Sequence, residues 1–210
     1  MDTMRRFASA VRVMGVAIGT ATKPEGVTVR YIIDSKVSSF TVKAFVAGLL
    51  SAFGHSPTIV IPDFSGEVNL NLDAVEQSSL RLVIQSVSLN VTDDISEKDR
   101  KEITRKMQEE GLECDAYPEI VYECTQGAGS KTGDGQYSVT LNGQLTLHGV
   151  TRNQPLSARV SVTGDLLRAA GEFSVNMSDY EIPPVSAAGG TVKLKDELKL
   201  SFNVSARKQA

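Results

Sequence analysis

The residues with the greatest chemical potential in this sequence are His55, His148, Cys114 and Cys124. Neither histidine is accompanied by a serine in a nucleophile-elbow motif or by a cysteine at the spacing of a catalytic pair. The four side chains also lack the spacing of zinc ligands, and two cysteines are too few for a structural zinc site. We therefore predict no catalytic residue, no metal site and no cofactor, so that the chain is not an enzyme.

Local structure explains most of the other candidate groups more simply than catalysis does. Asp63, Asp93 and Asp94 stand where turns and helix starts are expected, and acidic residues favour those positions. We interpret Cys114 and Cys124 as free, partly buried thiols, because small secreted domains that depend on disulfides contain many more cysteines.

His55 is the one chemically capable residue that the sequence places near a ligand. It follows the apolar segment 49–54 and precedes Ser56 and Pro57, just before a predicted strand. A polar tip at an otherwise apolar opening is suited to hold the head group of a ligand. The alternative is a turn histidine bonded to the backbone, and the sequence leaves both open.

Length and charge exclude several classes of protein. The chain has 210 residues, of which 41% are hydrophobic and 22% are charged, as expected for one globular domain with a substantial core. The net charge of −3 and the absence of a basic stripe argue against a nucleic-acid partner. No segment reaches the roughly 18 apolar residues that a membrane-spanning helix needs, so stable membrane insertion is not expected. A homodimer is left open.

Residues 1–28 are interpreted as an N-terminal extension. Arg5 and Arg6 precede an apolar stretch and small residues, as in a secretory signal peptide. However, Asp2 precedes the arginines and Arg12 interrupts the apolar part. A degenerate signal segment and a disordered start both fit this pattern, and the second implies a cytoplasmic protein.

The sequence alternates between apolar and polar residues over most of its length. In one segment Phe64, Val68 and Leu70 alternate with polar residues, and the same pattern recurs at 137–148, 156–163, 167–177 and 192–204. Successive side chains of a strand point to opposite faces, so each segment has one apolar and one polar face. This pattern is typical of antiparallel sheets.

Weaker strands are predicted at 29–33, 38–46, 80–91 and 119–125. The apolar phase changes near Gln85 and Ser86, which predicts a β-bulge. The highly charged segment 93–111 predicts a surface α-helix, capped by Ser96 and Asp99 and ended by Gly111. A short helical turn is predicted near 47–53.

Long, meandering strands favour closure into a barrel, since closure removes unpaired edges. With about eight strands, the interior either fills with side chains or holds one small ligand. Small residues on the apolar faces, among them Gly66, Gly143 and Gly171, favour a cavity. The charged helix and the lack of tryptophan argue against an outer-membrane barrel.

Several ordered motifs resemble the YceI-like family. Leu145-Thr-Leu-His-Gly-Val-Thr151, followed by Pro155-Leu156, is similar to the Leu-Thr-x-x-Gly-Val-Thr block of that family. The resemblance extends over about residues 29–206 through four further segments: Tyr117-Pro-Glu-Ile-Val-Tyr122, Ser178-Asp-Tyr180, Asp196-Glu-Leu-Lys-Leu200, and Phe53-Gly-His55 with Asp63-Phe-Ser-Gly66. Asn176, Met177 and Glu181 depart from the residues usual around the Asp-aromatic motif.

This resemblance implies a closed, antiparallel, lipocalin-like β-barrel that binds a polyisoprenoid or an isoprenoid quinone, commonly in the periplasm, for transport or sequestration and without catalysis. With the cavity argument, it leads us to expect ligand contacts from inward-facing side chains and two polar residues. These are Phe40, Val42, Phe64, Val68, Leu82, Ile84, Leu141, Phe173 and Val175, with His55 and Tyr180 at a mouth. The alternatives are a packed barrel that serves as a stress-response or interaction module, and an enzyme acting on the bound lipid through His55.

Overall fold

The computed structural model describes residues 26–47, 56–183, 186–187 and 192–209. These residues form thirteen β-strands, one α-helix and a few short helical turns. The strands are β1 (Thr28–Ile33), β2 (Ser39–Ala47), β3 (Thr58–Val60), β4 (Phe64–Asn71), β5 (Ser79–Gln85), β6 (Asn90–Val91), β7 (Glu119–Cys124), β8 (Gly127–Gly133), β9 (Gln136–Leu147), β10 (Val150–Thr163), β11 (Leu166–Asn176), β12 (Ser186–Ala187) and β13 (Val192–Lys208). The helix is α1 (Glu97–Lys106), which continues as a π-helical turn at Met107–Gly111.

Eight of these strands close into an antiparallel barrel. The order is β1-β4-β5-β7-β9-β10-β11-β13, and β13 pairs back with β1 where Ile33 lies opposite Ala206. The 17-residue β13 also pairs with β2, which leads to β3 and β6 as an extension of the sheet. The predicted closed barrel of about eight strands is therefore confirmed.

The two ends of the barrel differ. At one end, here called the helix end, α1 and its π-helical turn lie near the 148–149 turn between β9 and β10. The other end, here called the loop end, carries the β4–β5 connection 72–78 and the hairpin turns 134–135 and 164–165. Val75 of that connection reaches the start of the β8–β9 hairpin, since a Cβ on Gly129 would meet its Cγ1 at 2.9 Å.

The predicted alternation is realised in the strands. On β9, Val139, Leu145 and Leu147 are buried while Ser138 and Thr140 are exposed. Inward-facing apolar residues of this kind from all eight barrel strands form a single core cluster. The period of two therefore determines which side chains enter the barrel.

The helix begins where the sequence predicts a cap. The Ser96 hydroxyl accepts a 3.1 Å hydrogen bond from the Asp99 backbone N–H, and Glu97 and Asp99 lie in the first turn. Both features stabilise a helix N-terminus, because they satisfy free N–H groups and complement the helix dipole. Residues 93–96 of the predicted helix are outside it. Within the described residues, no helix is long and apolar enough to span a membrane.

Two local predictions have other outcomes. The expected β-bulge near Gln85 is wrong: β5 ends there, and a 3-10 turn at Ser86–Ser88 separates it from β6. Ser86 is only 1% exposed, and its hydroxyl donates to the carbonyl of Tyr117 at 2.9 Å, which fixes this break in the strand. The turn predicted near 47–53 lies outside the described residues except for Ala47, which ends β2.

Candidate ligand-binding cavity

The barrel encloses an elongated apolar cavity of about 270 Å³. It extends from Leu72, Val75 and Tyr137 at the loop end to Met107 and Leu112 beneath the helix. No charged side chain contributes to its wall within the described residues, and the polar side chains there are Ser78, Ser79 and the two tyrosines Tyr122 and Tyr137. The cavity therefore suits a neutral, chain-like group along most of its length.

Its volume fits one extended hydrocarbon chain. A single water molecule needs about 10–15 Å³ of such space, so the cavity corresponds to roughly twenty non-hydrogen atoms. Apolar cavities of this kind stay dry, because water inside them would find few polar partners. An apolar molecule entering it gains contacts without displacing strongly bound water.

The hydroxyl group of Tyr122, in the cavity wall, is not free to bind a ligand. The Tyr122 hydroxyl donates a 3.1 Å hydrogen bond to the Gln154 carbonyl oxygen, so this polar atom is bound to the backbone. Burial raises the pKa of Tyr122 well above the usual value for tyrosine. The side chain is therefore neutral and presents an aromatic surface to its surroundings.

The structure places eight of the residues expected to contact a ligand in the cavity wall. They are Phe40, Val42, Val68, Leu82, Ile84, Leu141, Phe173 and Val175. These residues come from β2, β4, β5, β9 and β11, which the barrel brings together from distant parts of the sequence. That they contact a bound lipid stays a prediction.

The other three expected residues have different positions. Phe64 is buried, but it packs edge-on against Phe40 with 4.8 Å between ring centroids and does not line the cavity. Tyr180 is 2% exposed and lies at the helix end, where it lines a polar surface depression together with Arg152 and Asp179. His55 lies outside the described residues.

The glycines of the apolar faces do not provide the cavity space. A Cβ on Gly143 would overlap the Tyr122 ring, and one on Gly171 would stand 2.7 Å from Phe202 Cζ. Gly66 is covered in the same way by Ile33, whose Cδ1 would be 2.8 Å from the added Cβ. Larger neighbours therefore fill the space above these glycines, and the interpretation of them as unfilled volume is wrong. Of the small strand residues, Ala158 and Ala169 do line the cavity.

Sequence reasoning did not assign two parts of the wall as ligand contacts. One is the inner face of β13, where Leu194, Leu198 and Phe202 line the cavity. Their shared phase in the alternating segment 192–204 was a sufficient signal. The other is the helical segment, which contributes Ile103 and Met107. Their spacing of four residues places both on one helix face.

The His148 side chain links three segments at the helix end of the barrel. Its Nδ1 lies 3.2 Å from the Tyr180 carbonyl oxygen and its Nε2 lies 3.3 Å from Glu113 Oε2, just beyond the π-helical turn. The Tyr117 ring packs against the imidazole with 4.5 Å between centroids. Both ring nitrogens are engaged, so the structure gives His148 a positioning role. Cys114 and Cys124 are buried and not bonded to each other, as expected.

Comparison with known proteins places this fold in a family. The model of the YceI-like domain matches residues 31–206. The fold is similar to the crystal structure of BcnA from Burkholderia cenocepacia, with a TM-score of 0.64, 17% identity, and coverage of 82% of this chain and 98% of that one. It is also similar to a polyisoprenoid binding domain from Saccharophagus degradans implicated in plant cell wall breakdown (TM-score 0.63, 14% identity, 86% and 99% coverage). No curated protein sequence matches significantly.

A third solved structure agrees with these two. The YCEI protein of Campylobacter jejuni aligns with a TM-score of 0.53 at 15% identity, over 72% of this chain and 85% of that one. At such identities the solved structures establish a common fold and no more. The domain match, which covers most of the sequence and at least part of every barrel strand, carries the assignment. The chain therefore belongs to the YceI-like family.

Proposed function

We propose that this protein binds a long polyisoprenoid lipid inside its barrel and carries or sequesters it without catalysis. The observation that carries the proposal is the continuous apolar cavity, which runs between the two ends of the barrel and has no charged side chain in its described wall. A chain-like ligand fits this shape, whereas a compact polar metabolite would leave its hydrogen-bonding groups unsatisfied.

The energetics of burial support this proposal. Burying about twenty methylene-sized groups at about 0.8 kcal/mol each yields roughly 16 kcal/mol. Association then costs about 4–15 kcal/mol in lost motion, and a micromolar Kd requires only about 8 kcal/mol net. Hydrophobic burial can therefore supply useful affinity without an ionic contact along the chain.

The polyisoprenoid class is supported by family membership and by the Saccharophagus degradans domain, which has the same fold and is described as polyisoprenoid binding. An isoprenoid quinone belongs to the same chemical class and is the main alternative ligand. We further propose a periplasmic location and a role in lipid transport, on the basis of the family resemblance alone.

The first test is native mass spectrometry of the purified protein, followed by organic extraction and lipid analysis. We expect an added mass that is released on denaturation and identified as a polyprenyl species. A bare protein mass that does not change after incubation with a polyprenol or a quinone would contradict the proposal and indicate a barrel without a lipid ligand.

A cavity-filling variant sharpens this test. Ala158→Phe places a ring into the wall of the cavity, whereas Ala128→Phe makes the same change on the exposed face of β8. We expect Ala158→Phe to reduce lipid occupancy strongly while it still folds, and Ala128→Phe to keep the occupancy of the unmodified protein. Equal occupancy in both variants would mean that the lipid lies elsewhere.

A further inference from the structure

One buried nitrogen is without a hydrogen-bond partner. Within the described residues, Arg100 Nε is the single buried side-chain nitrogen or oxygen atom that has none. One Nη of the same guanidinium donates a 3.0 Å hydrogen bond to the Asp93 carbonyl oxygen. Buried polar atoms in native proteins are almost always paired, so an orphaned N–H on a cation calls for a partner that the folded chain does not supply.

Arg100 has no anionic partner in the described chain. Arg30, Arg81, Arg105 and Arg207 each have a carboxylate oxygen within 4.0 Å of a guanidinium nitrogen. Among the described residues, no carboxylate oxygen lies that close to the guanidinium of Arg100. The nearby acidic side chains are engaged elsewhere: Asp93 Oδ2 accepts a 2.7 Å hydrogen bond from the Thr58 backbone N–H, and Asp99 Oδ2 accepts one from the Ser96 hydroxyl at 2.6 Å. A guanidinium stays protonated at physiological pH, so its charge also lacks direct compensation.

The position of Arg100 connects it to the cavity. Residues 100, 103 and 107 share one helix face, because their spacings of three and four residues match the helical repeat. Ile103 and Met107 line the cavity, so Arg100 lies one turn beyond them towards the helix N-terminus. Asp93, to which Arg100 is bonded, also holds Thr58, and the adjacent Pro57 lines the cavity. Arg100 itself does not line the cavity, but it lies one helical turn from Ile103, which does.

We propose that Arg100 binds the anionic head group of the amphiphile whose chain occupies the cavity, through its Nε–H and an Nη–H that Asp93 does not use. These two donors form the planar fork that matches two oxygens of a phosphate or a carboxylate. A neutral carbonyl or hydroxyl would satisfy the N–H but leave the charge uncompensated, so an acidic head group is preferred. This inference rests on the proposed lipid-binding function and adds the chemistry of the ligand's polar end.

The test compares three ligands that share one chain: geranylgeranyl phosphate, geranylgeranoic acid and geranylgeraniol. Binding to the intact protein is measured by fluorescence displacement or calorimetry at constant ionic strength. A charge-assisted hydrogen bond corresponds to about a tenfold or larger change in affinity, so the acidic ligands are expected to bind at least about tenfold more tightly than the alcohol. Tight binding of the phosphate alone supports a phosphate head group, and tight binding of both acids supports the shared anionic chemistry.

Two variants assign the effect to one residue. Arg100→Gln is expected to bring the acids to within about twofold of the alcohol, because removal of the positive charge weakens the binding of the acids far more than that of the alcohol. Arg105→Gln, on the same helix but paired with Glu109 at the surface, is the matched control and should keep the preference. A preference that survives in Arg100→Gln would overturn the assignment.

The ligand comparison also separates this inference from the proposed function. If the unmodified protein binds the alcohol and both acids equally, the role of Arg100 is wrong while lipid binding stands. If it binds none of the three, the proposed function fails, and this inference fails with it. Because this comparison needs no variant, equal binding of the three ligands overturns the role of Arg100 even if Arg100→Gln does not fold.

Discussion

The ring of Tyr122 on β7 covers Gly143 on β9, so closely that a Cβ on Gly143 would overlap the ring and stand 2.8 Å from the Glu123 carbonyl oxygen. The Tyr122 hydroxyl extends past β9 to the Gln154 carbonyl on β10. One side chain thus spans three neighbouring strands on the inner face of the barrel. An aromatic ring over a strand glycine supplies the packing that the glycine itself cannot.

This relationship predicts that Gly143→Ala destabilises the protein by about 1–3 kcal/mol, since the new methyl group must displace the Tyr122 ring or the backbone of β7. Urea unfolding followed by circular dichroism measures the change. Gly127→Ala is the matched control, because its Cβ would meet the nearest atom, Thr140 O, at an ordinary 3.4 Å. Equal stability of the two variants would show that the ring over Gly143 moves at little cost.

We expect the protein to lose stability at high pH because three of its tyrosines are buried. Burial raises the pKa of Tyr122, and also that of Tyr31 and Tyr180. Above about pH 10 a tyrosine loses its proton more readily in the unfolded chain, so the unfolded state is favoured as the pH rises. Each neutral, buried tyrosine thus contributes fully to the free energy of unfolding below about pH 10. Above that pH the free energy of unfolding falls by at most about 1.4 kcal/mol per pH unit for each such tyrosine.

The measurement is the free energy of unfolding of the unmodified protein and of Tyr122→Phe between about pH 9 and about pH 11. The variant loses one hydrogen bond at every pH, but its stability should fall less steeply with pH because one titrating group is gone. Parallel curves for the two proteins would contradict the raised pKa of Tyr122.

We expect the Asn71 side chain to stabilise the loop end of the barrel. This fully buried side chain accepts hydrogen bonds from the backbone N–H groups of Asp73 and Ala74, both at 3.0 Å, and donates one to the Gly26 carbonyl at 3.0 Å. Asn71→Ala leaves these backbone groups without partners and should cost about 2–3 kcal/mol of unfolding free energy. Chemical denaturation measures the loss.

The control for this prediction lies two residues earlier on β4. Asn69 makes one 3.2 Å side-chain hydrogen bond, to Ser79 Oγ, so Asn69→Ala should cost about 1 kcal/mol or less. If the two alanine variants were equally stable, Asn71 would not organise the 72–78 connection as described.

Phe173 tests the cavity wall directly. Phe173→Arg introduces a charge into an apolar wall, and a lipid chain could then be accommodated only by burying that charge or by leaving the site. We expect lipid affinity to fall at least about tenfold, as measured with a fluorescent lipid probe. Ser174→Arg makes the neighbouring change on the exposed face of β11 and should bind as the unmodified protein does. Unchanged binding to a folded Phe173→Arg protein would remove this residue from the ligand site.

Local pattern in the sequence determined the strands, their inner and outer faces and the helix cap. The alternation that placed Val139 and Leu145 inside holds because a strand has a side-chain period of two whatever its neighbours are. Ser96 caps α1 because its bond to Asp99 involves residues only three positions apart. Such features need no knowledge of the rest of the chain.

Tertiary structure alone decided how the interior is filled. Periodicity shows that Gly143 faces inward, but only the pairing of β7 with β9 places Tyr122 over it. In the same way, Phe64 is directed to the interior by its phase, yet its contact with Phe40 keeps it out of the cavity wall. Arg100 Nε is buried without a hydrogen-bond partner only because α1 packs against the barrel. Contacts across the barrel join residues far apart in sequence, and a single-strand pattern carries no information about which residue lies opposite.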